Sequence, residues 1–145
     1  MRLMSIEDYD QVYSLWLQTE GMDLNAIDES REGIEKYLKR NPQTCFVEER
    51  NGKIVGAILA GHDGRRGTLH HLAVQDKYRG QGIGKALALK AIEALQREGI
   101  IRAALFVYCS NYHGMNFWNS LGFKVERDYL YLDKDLIEIP GIRNG

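Results

Sequence analysis

Leu72-Ala73-Val74-Gln75-Asp76-Lys77-Tyr78-Arg79-Gly80-Gln81-Gly82-Ile83-Gly84-Lys85 passes from an apolar, extended run through a short polar loop into a glycine-rich turn. A helix follows, with apolar positions at Ile83, Leu87, Ala91 and Ala94 and a stop at Gly99. The first amides of a helix have no intrahelical partner and sit at its positive dipole end, so a turn of this kind offers an anion site. Glycine at 80, 82 and 84 lets an anion approach the backbone closely, and Arg79 and Lys85 add charge. The same residues also read as a tight turn carrying solvated cations, so the surroundings of the turn have to decide.

Upstream, Thr44 to Glu49 reads as a strand, Asn51-Gly52 as a hairpin turn and Lys53 to Gly61 as the returning strand. A polar turn, Asp63 to Gly67, leads into Thr68 to Val74, which makes this region an antiparallel meander. Nearer the start, a short strand precedes a capping pair, Ser5 and Asp8. Tyr9, Val12, Tyr13 and Trp16 then repeat at i, i+3, i+4 and i+7, the spacing of an amphipathic helix. Gly21 to Glu29 loses periodicity, and Ile34, Tyr37 and Leu38 define a second helix that stops before Asn41-Pro42.

Downstream, Ile101 to Tyr108 reads as a buried strand. A strand, a crossover helix and another strand place the second strand parallel to the first. A helix over Tyr112 to Ser120 and one or two strands within Phe123 to Leu132 complete the chain. The expected fold is one α/β domain over residues 1–145, with a mixed, mostly antiparallel central sheet and flanking helices.

Two common phosphate binders fail on their own spacing. No Walker A pattern ending in Gly-Lys-Ser/Thr is present, and the glycine turn comes mid-chain after a meander rather than in a first βα unit. The 145 residues, 44% hydrophobic, suffice for one core. The 19 basic and 20 acidic residues are interspersed and sum to a formal charge of −1, so no nucleic-acid footprint shows. Cys45 and Cys109 are too few for a disulfide framework and read as free thiols in a reducing compartment. Met1 to Asp10 carries acidic residues where a signal peptide would be apolar, and no run approaches the roughly 20 apolar residues of a membrane span. A cytoplasmic protein that binds neither membrane nor nucleic acid is expected.

Leu72-Ala73-Val74, the loop containing Tyr78, and Arg79 to Gly84 resemble the central motif of the GCN5-related acetyltransferases, in which Arg/Gln-x-x-Gly-x-Gly/Ala cradles coenzyme A. Asn111 opening a helix, the pair Phe117-Trp118, and Gly122-Phe123 resemble the motif that follows it. With the order of the remaining elements, the resemblance covers nearly the whole chain. It implies the acyl-CoA N-acyltransferase fold, acetyl-CoA as cosubstrate without a metal, an amine acceptor on a small molecule or peptide, and homodimers, which many members form. It further implies that amides of Gly80, Gln81, Gly82, Ile83, Gly84 and Lys85, beside Arg79, hold the pyrophosphate. The backbone of Leu72, Ala73 and Val74 would pair with the pantetheine arm, Ala103 to Tyr108 would splay away to admit it, and Asn111 would belong to the same donor site.

Deprotonating an ammonium acceptor calls for a base near neutrality, and His70 and His71 lie just before the motif. Strand alternation puts His70 with Thr68 and Leu72, and His71 on the other face with Leu69 and Ala73. Packed or solvated histidines would account for both equally well. Members that acetylate arylalkylamines carry a catalytic histidine matching His70, so the resemblance implies His70 as base, with Glu48 as a second choice through water. The family's acid, a Tyr in the helix after Asn111, corresponds here to Trp118, whose indole cannot serve. Tyr112 and Tyr108 are substitutes, or no acid is used, because a thiol of pKa about 8.5 leaves tolerably. A non-catalytic module that binds acetyl-CoA is the alternative that Trp118 supports. Glu20, Asp23, Asp28 and Glu29 read as a solvated acidic loop that, in this fold, borders the acceptor cleft.

Overall fold

The computed structural model describes residues 1–144 and starts on a two-residue strand, β1 (Arg2–Leu3), followed by a 3-10 turn and helix α1 (Tyr9–Leu17). The Ser5 amide donates to Asp8 Oδ2 at 2.9 Å, so the capping pair forms. Arg2 grips the same carboxylate with two N–H groups, at 2.9 and 2.8 Å, and also reaches Glu49. Burial works to raise the Asp8 pKa, but the hydrogen bonds from Arg2 and Ser5 outweigh it and hold the carboxyl below its ordinary range. Val12, Leu15 and Trp16 form the buried stripe of α1.

β2 (Met22–Asn25) comes next, then α2 (Arg31–Arg40), whose first turn is capped by Ser30 Oγ accepting from the Gly33 amide at 3.0 Å. β3 (Phe46–Arg50) and β4 (Lys53–His62) are joined by the expected hairpin, with Asn51 and Gly52 both at positive φ, 52° and 76°. β5 (Gly67–Val74), α3 (Ile83–Arg97) and β6 (Ala103–Ala104) form the crossover unit. α3 stops where expected, with Gly99 left-handed and the Ile100 amide bonded back to the Leu95 carbonyl at 3.1 Å.

The sheet runs β1-β3-β4-β5-β6, antiparallel except for the parallel pair β5–β6. α3 covers one face: a Cβ at Gly56 would lie 3.0 Å from Leu87 and 3.1 Å from Ile83, so the helix needs a bare backbone beneath it. The other face carries α1 and α2, where Val12, Trp16, Ile34 and Leu38 pack with Leu59 and Ala73. There Tyr37 Oη and Asn41 sit directly over Gly61.

The described residues divide into one unit of Met1 to Leu105 with the segment from Pro140, and a second of Phe106 to Ile139. In the second unit lies α4 (Tyr112–Ser120), capped by the Asn111 side chain accepting from the Gly114 amide at 2.8 Å. Trp118 stacks edge-on against Phe117 and Phe123, and all three are half-buried.

Three readings of the sequence need correction. Ile101 to Tyr108 is not a buried strand: only Ala103 and Ala104 pair with β5, in the expected parallel sense, and Ile101 and Phe106 are 83% and 63% exposed. An apolar run looks the same to sequence whether or not it is covered. Phe123 to Leu132 contains no strand, and the last one is β7 (Gly141–Asn144). β7 pairs antiparallel with β2, in a stretch that showed only lost periodicity, and a partner so distant in the chain leaves no local pattern to read.

Candidate active site

Val74 ends β5 and a single 3-10 turn, Asp76–Tyr78, turns the chain toward α3. Arg79 folds back over that turn. Its Nε donates to the Val74 carbonyl at 3.0 Å and its Nη1 meets Asp76 Oδ1 at 3.0 Å, so the guanidinium braces the loop. Gly80 and Gly82 hold φ of 77° and 83°, and a Cβ on either would meet nothing within 4 Å. The first i→i−4 bond of the helix is made by the Ala86 amide to the Gly82 carbonyl at 3.0 Å. The amides of Ile83, Gly84 and Lys85 therefore lie ahead of the helix ladder, at an open, glycine-bordered rim suited to an anion. The Ile83 side chain is buried beneath α3, which leaves its amide as the available group, and Lys85 is exposed.

The ladder between β5 and β6 ends at Thr68 and Ala104, and no strand pair among the described residues continues it along Leu69 to Val74. Leu72 and Val74 are half-buried and Ala73 is buried. Beside Val74, a cavity of about 230 Å³ is lined by Leu15, Gln18, Thr19, Val74, Gln75 and Arg79.

β5 is not a regular strand. Ala57 faces Ala73 and Leu59 faces His70, so three steps of β5 answer two of β4 and the strand carries one extra residue. His71 takes the strain, at a left-handed φ of 54°. The expected alternation of the two histidines is thereby overturned. The His71 ring stands edge-on to Trp16 of α1, the His70 ring edge-on to Tyr37 of α2, and the two imidazoles are 6.1 Å apart on the same sheet face. Burial pushes the His70 imidazole below the ordinary histidine range, helped by neighbouring His71 and opposed by Glu29 and Asp28.

Sequence reasoning missed Glu29, read as part of a solvated loop. It is 8% exposed, and its Oε1 lies 2.9 Å from His71 Nε2. No local pattern marks it, because the partner stands 42 residues on. Glu48, the second-choice base, is engaged elsewhere: it lies opposite Gly56, whose Cβ would point at α3, and pairs with the Met1 ammonium at 3.1 Å and Arg50 at 3.4 Å. Asn111 and Tyr112 begin α4 in the second unit, where Tyr112 is 75% exposed. Both cysteines are free thiols, and burial pushes that of Cys45 up to about 12.

The sequence pattern of the Acetyltransferase (GNAT) family matches residues 9–123, ending on the Gly122-Phe123 pair. "Acetyltransferase SG1711" of Sodalis glossinidius is 32% identical over 139 residues, covering 95% of this chain and 96% of that protein. The ribosomal-protein-S18-alanine N-acetyltransferase from Escherichia coli superposes with a TM-score of 0.71 at 23% identity, over 85% of this chain and 76% of its own. The PaiA N-acetyltransferase from Thermoplasma acidophilum, solved in complex with coenzyme A, superposes with a TM-score of 0.71 at 20% identity, over 99% of this chain and 97% of its own.

Proposed function

The chain belongs to the GNAT acetyltransferase family, and from that premise we propose that it moves an acetyl group from acetyl-CoA to a primary amine of a small molecule or peptide. The observation that carries this reading is the glycine-bordered rim of amides at Ile83 to Lys85, opening at the end of a strand whose parallel ladder, among the described residues, stops at Thr68. A relative in the same fold is solved with coenzyme A, and another is named for an alanine amine of a ribosomal protein.

Acetyl-CoA supplies the activated thioester. Amides of Gly80 to Lys85 hold its pyrophosphate, with Arg79 bracing the turn from below. The edge of Leu72 to Val74 lays out the pantetheine arm, and the Val74 amide stabilises charge on the carbonyl oxygen. Asn111 completes the donor site. His70 takes the proton from the acceptor ammonium, and its lowered pKa keeps the ring neutral and able to accept at physiological pH. Tyr112 returns a proton to the departing thiolate. No step uses a metal.

In this reading residues 1–145 act as one acetyltransferase domain that pairs into a homodimer. No described helix is long and apolar enough to cross a membrane, and the two free thiols support a cytoplasmic setting. The test is a panel of small amines and peptide N-termini with acetyl-CoA, read by thiol release. Release that depends on the added amine is expected. Binding of coenzyme A with no amine-dependent release from any acceptor would mean a donor-binding module instead.

A further inference from the structure

His71 and Glu29 have no role in the reaction as described so far, yet the fold goes to some cost to join them. A non-glycine residue at left-handed φ costs on the order of 1–3 kcal/mol and persists only where its surroundings over-determine it. Glycine would hold the same bulge without that cost. The side chain present is an imidazole, which lies against Trp16 and meets Glu29 Oε1 at 2.9 Å. Glu29 is itself fixed from three directions. Its Oε2 accepts from the Asn25 amide of β2 at 2.8 Å, its main-chain carbonyl accepts from Tyr9 of α1 at 2.5 Å, and His71 holds it from β5. Its side chain is 10% exposed, so its charge is weakly screened.

His70 is what this pair surrounds. The groups that bear on it are His71 from its own strand, Glu29 and Asp28 from the segment before α2, and Tyr37 from α2; α1 contributes Trp16, which does not titrate, against His71. A neutral imidazole that accepts a proton becomes a cation in a half-buried place beside a second imidazole. Such a cation is costly unless a negative charge is fixed nearby.

We propose that Glu29 is a positioning residue for the base: acting through His71, it keeps both imidazoles on one face of β5 and supplies the negative charge against which His70 takes up the acceptor's proton. The proton moves from the acceptor nitrogen to a ring nitrogen of His70 and on to solvent, while the amine lone pair is freed for the acetyl carbonyl. This rests on the acetyltransferase reading and on His70 as base.

The test pairs an equilibrium readout with a kinetic one in Glu29→Gln and Glu29→Asp. Proton NMR of the histidine rings across pH, assigned with His70→Ala, needs no acceptor. In Glu29→Gln the His70 midpoint should fall, because a carboxylate that raised it is gone, and Glu29→Asp should bring it back. With an acceptor found, Glu29→Gln should lose about tenfold in kcat, part of the roughly 100- to 10,000-fold a general base contributes. KM for acetyl-CoA should stay put, and the acid limb of the rate profile should move to lower pH with the His70 midpoint. A purely structural Glu29 would lower Tm and leave that limb where it was. An unmoved His70 midpoint in folded Glu29→Gln overturns the proposal whatever the turnover. Full turnover in His70→Ala would instead overturn the base assignment beneath it.

Discussion

At the scale of single residues, the bulge makes His70 and His71 unequal in a way strand alternation does not foresee. Among the described residues no carboxylate is bonded to His70, which carries a lowered pKa, whereas His71 is tied to Glu29. His70→Ala should keep its affinity for coenzyme A, lose roughly 100- to 10,000-fold in kcat, and flatten the acid limb. The sign follows from the shift: the ring is already neutral above its lowered pKa, so activity falls only as pH drops through that value. His71→Ala should be milder in kcat and should also raise the His70 midpoint, since a neighbour that lowered it is gone. Steady-state kinetics across pH on both variants checks this, and exchanged behaviours would assign the base to His71. The sequence shows two histidines in the right strand. It does not show that they share a face, because that depends on one φ angle stabilised by Glu29 and Trp16, neither of them a near neighbour in the chain.

At the scale of elements, the hairpin at Asn51-Gly52, the helix that ends at Gly99 and the parallel sense of β6 are all legible locally. The first two depend on turn chemistry or periodicity within a single segment, and the third on the order of β5, α3 and β6. β2 is not, because its ladder partner among the described residues is β7 near the other end of the chain. The short reach of β6 is not either, because its extent depends on whether a neighbour covers Ile101 and Phe106. The packing of α2 against β4 was half legible: Tyr37 belongs to the helical apolar pattern, but the bare backbone it requires at Gly61 emerges only in three dimensions. A Cβ there would stand 2.5 Å from Tyr37 Oη and 2.6 Å from Asn41 Nδ2. Gly61→Ala should therefore destabilise by about 1–3 kcal/mol, the usual cost of overpacking a well-filled site. Urea denaturation reads it, and because Tyr37 also stacks on His70, the variant should disturb turnover more than coenzyme A affinity.

For the molecule as a whole, a donor bound by the folded state alone raises stability by mass action, about 2.7 kcal/mol at a hundred times its Kd. Acetyl-CoA should accordingly raise Tm in a concentration-dependent way while NAD and ATP do so less, since the glycine turn matches neither of their fingerprints. Thermal melts with the three ligands decide it, and a shift that follows NAD alone would return the turn to the nucleotide binders. The glycine turn was the most legible part of the candidate site, because glycine spacing before an apolar helical pattern announces an open turn at a helix start. The cluster around the two histidines was the least, because Glu29, Trp16, Tyr37 and His70 come from four separate segments. The extra residue in β5 also bears on how such a protein can change over generations. Loss of the single codon for His71 would leave Leu72 opposite Ile58 and restore an ordinary ladder between Leu59–His70 and Ala57–Ala73. The descendant would keep its sheet, its core and its glycine turn. Only the histidine held by Glu29 would be gone, so one heritable deletion would part His70 from the carboxylate that His71 links to it while leaving His70 itself in place.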